Sequence, residues 1–180
     1  MRLLCLLSFA AVVMVCSMGS LSAVTDVYWN EPGGGQYQYD PFWVGGTHPG
    51  SNDIAVFDLN SLTRYTVTFT DNAHAYGLRV ERDTLRLNLS GFEYRLTSEM
   101  DPPKSIQVSG HTGQMADLEI IGGRLYSYRA GIGDFADSAG RMRLVGAAMQ
   151  WRNDREIDVG LDGLGELGIE GGASVTTEDI

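Results

Sequence analysis

The chain has 180 residues, a formal net charge of −10, 43% hydrophobic residues, 23 Gly, 3 His and 2 Cys. Its length fits one domain, and its apolar fraction is that of a folded protein, which excludes global disorder. The acidic balance excludes nucleic acid or an anionic membrane surface as the main partner, because both select Lys and Arg.

Residues 1–23 read as a signal peptide. Arg2 supplies the positive start, Leu3 to Val15 is an apolar run broken only by Ser8, and Gly19, Ser20, Ser22 and Ala23 are small residues that place cleavage after Ala23. The run is shorter than the ~20 residues of a spanning helix, so no transmembrane segment is expected beyond this leader. A lipid anchor at Cys16 is disfavoured by the preceding Val15, where a lipoprotein leader has a small residue. Both cysteines, Cys5 and Cys16, fall within the leader. The exported part is therefore expected to carry no disulfide, no Cys-ligated zinc and no thiol nucleophile.

Residues 24–52 are irregular. They hold Gly33, Gly34 and Gly35 in a row, the aromatics Tyr28, Trp29, Tyr37, Tyr39, Phe42 and Trp43, and the turn His48-Pro49-Gly50. An aromatic-rich stretch with little alternation reads as an N-terminal cap packed on one end of a sheet. The functional alternative is a carbohydrate-stacking platform, with Trp29 and Trp43 as the candidate residues.

Regular alternation begins in residues 53–103, the expected first coils. Tyr65, Val67 and Phe69 alternate with Thr66, Thr68 and Thr70; Leu85, Leu87 and Leu89 alternate with Arg86 and Asn88; Phe92, Tyr94 and Leu96 follow. Asp101-Pro102-Pro103 is a stiff break, since Pro cannot join a central ladder. Residues 104–180 continue with Ile106 and Val108, Leu118 and Ile120, Met142 and Leu144, Ile157 and Val159, and Leu167 and Ile169. No amphipathic helix emerges after residue 24. About a dozen short strands, each with one apolar side, predict an all-β chain.

The most specific feature is a repeat. Leu118-Glu119-Ile120-Ile121-Gly122-Gly123 aligns with Leu167-Gly168-Ile169-Glu170-Gly171-Gly172 at an offset of 49, and Ile106-Gln107-Val108 aligns with Ile157-Asp158-Val159 at an offset of 51. The chain is too short for a propeller of four or more blades. Two solenoid coils of ~20–25 residues fit the period, with Leu118 and Leu167 in one core two coils apart. Inward ladders explain the alternating Leu, Ile and Val. Tight corners explain Gly122, Gly123, Gly131, Gly133, Gly160, Gly163, Gly165, Gly171 and Gly172. An exported β-sandwich is the competing all-β architecture, and the repeat argues against it.

The run Gly163 to Gly172, Gly-Xaa-Gly-Xaa-Leu-Xaa-Ile-Xaa-Gly-Gly, resembles the repeat associated with type V secretion and PEP-CTERM proteins. Ile132-Gly133, Gly140 to Gly146, Trp151 and Val159-Gly160 keep that repeat's order of turns and strands. The chain departs from it at Met149-Gln150-Trp151, where the family more often has Ser two places before the Trp. Trp29-Asn30, Trp43, Pro49-Gly50 and Asp53 to Asp58 are similar to the opening of such proteins. The resemblance implies a right-handed parallel β-helix, secreted or displayed on a bacterial surface in the manner of an autotransporter passenger, and it carries over no catalytic residue. Against that repeat, Gly172 to Thr177 reads as a strand in mid-repeat, so the chain is expected to be a fragment or a truncated frame.

Chemistry is sparse. His48, His74 and His111 show no His-Xaa-Xaa-Xaa-His spacing for zinc. No Gly-Xaa-Ser-Xaa-Gly elbow is present, although a Ser-His-Asp triad is not fixed by spacing. Asp134, Asp137, Asp154, Asp158 and Asp162 follow one another at turns. Turn aspartates bond their own backbone and are expected to be solvated; a Ca²⁺ site or acid–base work on a polysaccharide are the alternatives. Asn88-Leu89-Ser90 is a formal glycosylation sequon, discounted because it lies in a strand. The only Lys is Lys104, and the only long irregular segment is 24–52. A polysaccharide enzyme of this fold should instead interrupt its coils with charged loops. The expectation is a non-enzymatic, adhesin-like structural passenger without a cofactor. The alternative is a polysaccharide-binding or polysaccharide-degrading β-helix. Extracellular polysaccharide and surface proteins are the partner classes expected.

Overall fold

Alternating apolar side chains and periodic corner residues wind the chain into a parallel β-solenoid of about six turns. The computed structural model describes residues 23–99 and 104–178. The proposed leader up to residue 22 and the Asp101-Pro102-Pro103 break lie outside the described residues, as do Asp179 and Ile180.

Each complete coil has three faces. The first is a six-stranded parallel sheet of β1 (Thr25–Tyr28), β3 (Asp53–Phe57), β6 (Gly77–Val80), β9 (Ile106–Val108), β11 (Ala130–Ile132) and β13 (Ile157–Val159). The second runs through β2 (Gly35–Gln36), β4 (Tyr65–Thr68), β7 (Thr84–Asn88) and the first halves of β10 (Met115–Ser127) and β12 (Ala139–Asn153), then β14 (Leu164–Glu170). The third comprises β5 (Ala73–Ala75), β8 (Glu93–Leu96), the second halves of β10 and β12, and β15 (Ser174–Thr177). Every pairing between these strands is parallel, which requires crossover connections and here makes each crossover the remainder of a coil.

Register turns the alternation into core columns. On the first face Val27, Ala55, Leu78, Ile106, Ala130 and Ile157 stack in line. On the second, Tyr65, Leu85, Leu118, Met142 and Leu167 do so. Leu118 and Leu167 are thus two coils apart in one core, in steps of 24 and 25 residues through Met142. On the third, Ala73, Tyr94, Leu125, Trp151 and Val175 stack, small against large in the first coils.

The corners repeat too. Between the first two faces, Ser109, Gly133 and Gly160 all adopt positive φ, at 60°, 65° and 69°, and their N–H groups donate to Val80, Val108 and Ile132 one coil back. The Ile132-Gly133 and Val159-Gly160 pairs therefore mark stacked corners. Gly165 obeys a different rule: it lies in β14 without positive φ, and a Cβ there would collide with the Gly160 amide and come within 2.5 Å of the Ile132 carbonyl oxygen.

Residues 24–52 are less irregular than the sequence suggests, because β1 and β2 within them are already strands of the first coil. They are too short to show alternation. The remainder turns inward. Trp29 and Trp43 form an antiparallel bridge around a 3-10 turn at Asp40–Phe42, and Tyr37 stacks on Phe69 at 4.4 Å between centroids. These rings, with Phe57 and Tyr94, fill the interior of the N-terminal coils.

Candidate functional site

The two tryptophans offered for carbohydrate stacking do not present a face. Trp29 and Trp43 are each 2% exposed. Both indole N–H groups donate within their own segment, to the Glu31 and Tyr37 carbonyls at 2.7 Å. Their ring faces meet each other, Phe42, Phe57 and Tyr37. Large rings with satisfied N–H groups bury more favourably than they stack in water, and that places them in the core.

The three histidines lie apart. His48 pairs with Asp40 at 2.5 Å, His111 lies 3.5 Å from Glu81 and stacks on Phe135, and His74 is exposed on β5. Among the described residues no three His, Cys, Asp or Glu side chains converge in a way that could hold a metal ion.

Two of the turn aspartates are not simply solvated. Lys104 Nζ sits between Asp134 and Asp158, 2.6 Å from the latter, so one Lys bridges three successive coils. Burial pulls the Lys104 pKa down, but its two ion pairs outweigh this and leave it above its ordinary value. A single Lys in the sequence gives no hint of such a bridge, because its partners lie 30 and 54 residues away.

Charge on the second face is locked. Arg86, Glu119 and Arg143 occupy one outward column on adjacent coils. The Glu119 side chain is 6% exposed and is clamped by Arg86, by Arg143 at 2.8 Å and by Arg64 at 3.5 Å. Beside it Asp117 and Arg141 form a second column with Glu166, which takes a 3.0 Å contact from Arg141 Nε. Covering this acid with three guanidinium groups holds coils together and leaves the carboxylate no room for a substrate.

The third face is built from the same alternation but is open. His74, Arg95, Tyr126, Arg152 and Thr176 are successive rungs of one outward column. The Arg95 guanidinium lies 3.9 Å above the Tyr126 ring, a cation–π contact. Arg124 and Gln150 flank this column on their own strands. At the next corner the Arg155 Nε donates to the Tyr128 hydroxyl at 3.0 Å. Two depressions of about 370 and 480 Å³ lie here and share Tyr126 and Arg152. A third, of about 360 Å³, lies on the second face near exposed Leu62, Met115 and Leu164.

In the sequence the polar partners of the alternating strands carry no sign of which of them line up. This column stays hidden there because its members are 21 to 31 residues apart at unequal steps, so only the register aligns them. No helix among the described residues is long and apolar enough to cross a membrane. Comparison with protein-family models, with curated proteins and with solved structures finds no match.

Proposed function

We propose that this chain is an exported, non-enzymatic β-solenoid that serves as an extended structural or adhesin-like element of a bacterial surface or matrix. The observation that carries the reading is how its charges are used. Lys104 and the Glu119 cluster tie carboxylates to cations on neighbouring coils, so these acids act as rungs of the stack. A glycoside-cleaving site needs two carboxylates facing one another across a sugar, one of them free to hold a proton. The enclosure of Glu119 by arginines works against that. The similarity of the Gly163–Gly172 run to type V secretion and PEP-CTERM repeats supports export and display. A second reading, a carbohydrate-binding solenoid, is favoured by one observation, the Arg95–Tyr126–Arg152 column.

The test is expression of the chain in a bacterial host, with fractionation, N-terminal sequencing and incubation of the purified protein with a panel of polysaccharides. The expected product is exported and begins at Val24, and the panel shows no new reducing ends or unsaturated uronates. Retention of the uncleaved chain in the cytoplasm would overturn the export reading. Turnover that a single carboxylate substitution abolishes would overturn the non-enzymatic one.

A further inference from the structure

The two outer faces that carry arginine columns differ in what their cations are free to do. On the second face the acid at the centre is nearly buried, so moving its arginines would strand a charge. On the third face the arginines are more open: Arg95, 44% exposed, and Arg124, 52% exposed, share the half-buried Glu93, while Arg152, 49% exposed, pairs with the equally exposed Asp154 and Glu178. Exposed pairs such as those of Arg152 contribute about 0–1 kcal/mol each, so another carboxylate can take their place.

We propose that the third face binds an extended acidic polysaccharide lying along the solenoid axis, with Arg152 and Arg95, the latter held on the Tyr126 ring, pairing its uronate carboxylates. The inference rests on the reading above only in placing this face outside the cell. Coil stacking sets the rungs at ~4.8 Å, so the column offers two cations, spaced by the Tyr126 rung, along one line. A guanidinium fork matches a planar carboxylate in two parallel bonds. Gln150, Ser174 and Thr176, on the same strands, offer neutral hydrogen-bonding groups to hydroxyls. An extended peptide is a poorer occupant. It gains affinity by adding main-chain bonds at a sheet edge, and the interior strands of this face are paired on both sides. The chain's excess of acid away from this face is screened beyond ~8 Å at physiological ionic strength, and on the face itself Glu93, Asp154 and Glu178 are the carboxylates the ligand must displace.

Calorimetric titration of the chain with a defined oligogalacturonate, with uncharged dextran oligomers and with polyglutamate tests this. Saturable binding of the oligogalacturonate alone is expected. Arg95→Gln and Arg152→Gln should each weaken it about tenfold, the cost of one charge-assisted contact, and Tyr126→Ala should weaken it as well. Arg141→Gln on the second face should leave it unchanged. Thermal unfolding of each variant separates loss of binding from loss of fold. The proposal is overturned by absence of saturable binding, by equal affinity for polyglutamate, or by Arg141→Gln costing as much as Arg152→Gln. Unsaturated or shortened products in the same cell would overturn the non-enzymatic reading and leave this binding face standing. Absence of binding would remove the face and leave the scaffold reading intact.

Discussion

Asp83 lies 1% exposed at the corner that leads into β7, and its two oxygens accept hydrogen bonds from Leu59 N at 3.0 Å, Ser61 N at 2.9 Å and the Tyr65 hydroxyl at 2.6 Å. It thereby satisfies backbone donors of the preceding coil. Burial, then the Asp83 charge, pushes the Tyr65 hydroxyl far above the ordinary tyrosine range, so it stays a donor at any working pH. Asp83→Ala leaves the buried Tyr65 hydroxyl and two part-buried backbone amides without their acceptor and is expected to lower unfolding stability by ~2 kcal/mol in urea titration. Tyr65→Phe, which removes one of the three, should cost about 1 kcal/mol. In the sequence, Arg82-Asp83-Thr84 looks like any polar turn; nothing local distinguishes an aspartate that caps its own turn from one that caps the turn of another coil. Asp40 is the exposed counterpart. Hydrogen bonds from the His48 ring and backbone N–H hold its carboxyl below the usual value. A depressed carboxyl contributes stability that is present above its unfolded pKa, about 4, and is lost as pH falls through the folded value. A carboxyl NMR titration should place the Asp40 midpoint below that of free Asp, and His48→Ala should return it upward.

The strands themselves were largely legible, because a strand buried on one side writes its face into every second residue. Tyr65, Val67 and Phe69, and Leu85, Leu87 and Leu89, are all buried on the side the alternation assigns. The period was legible only in the C-terminal half. There Leu118, Met142 and Leu167 are spaced almost evenly, and the two leucines match while the methionine between them hides the single-coil step. Earlier, Tyr65 to Leu85 is 20 residues and Leu85 to Leu118 is 33, since the connections between strands differ in length from coil to coil. Glycine meaning was legible in part. Gly140 is not at positive φ; it is glycine because a Cβ would come within 2.5 Å of the Gly133 amide and 2.6 Å of the Val108 carbonyl oxygen. Gly165 stacks on it in the same column, and Ala116 one coil earlier is the largest residue that column holds. Gly140→Ala is therefore expected to destabilise by ~1–3 kcal/mol through overpacking against backbone that cannot rotate away. Gly146 has open space around it, so the same substitution there meets no collision and costs only the backbone strain of its φ of 97°, about 1–2 kcal/mol, and paired urea titrations of the two variants separate the two causes.

For the molecule as a whole, a stack of coils is close to one-dimensional: each coil contacts its neighbours, and local stability follows local burial. Burial is uneven along the axis. Leu118, Ile120, Met142 and Leu144 in the central coils are fully buried, whereas Ile169 in the same columns is 50% exposed and Val159 43%. The Glu119 clamp also falls on the central coils, and Lys104 joins them to β13 only through the partly exposed Asp158. At the other end, the Trp29, Tyr37 and Trp43 rings close the interior, so the first coils gain packing that their short strands do not supply. Opening is therefore expected to begin at β13, β14 and β15 and to reach β10 and β12 last. Native-state amide exchange should show protection highest in the β10–β12 ladder, high in β3 and β4 beneath the aromatic cluster, and lowest in β13 to β15. Equal protection along all six coils would mean that the stack opens as one unit, and that the ion bridges couple its turns more strongly than burial alone can.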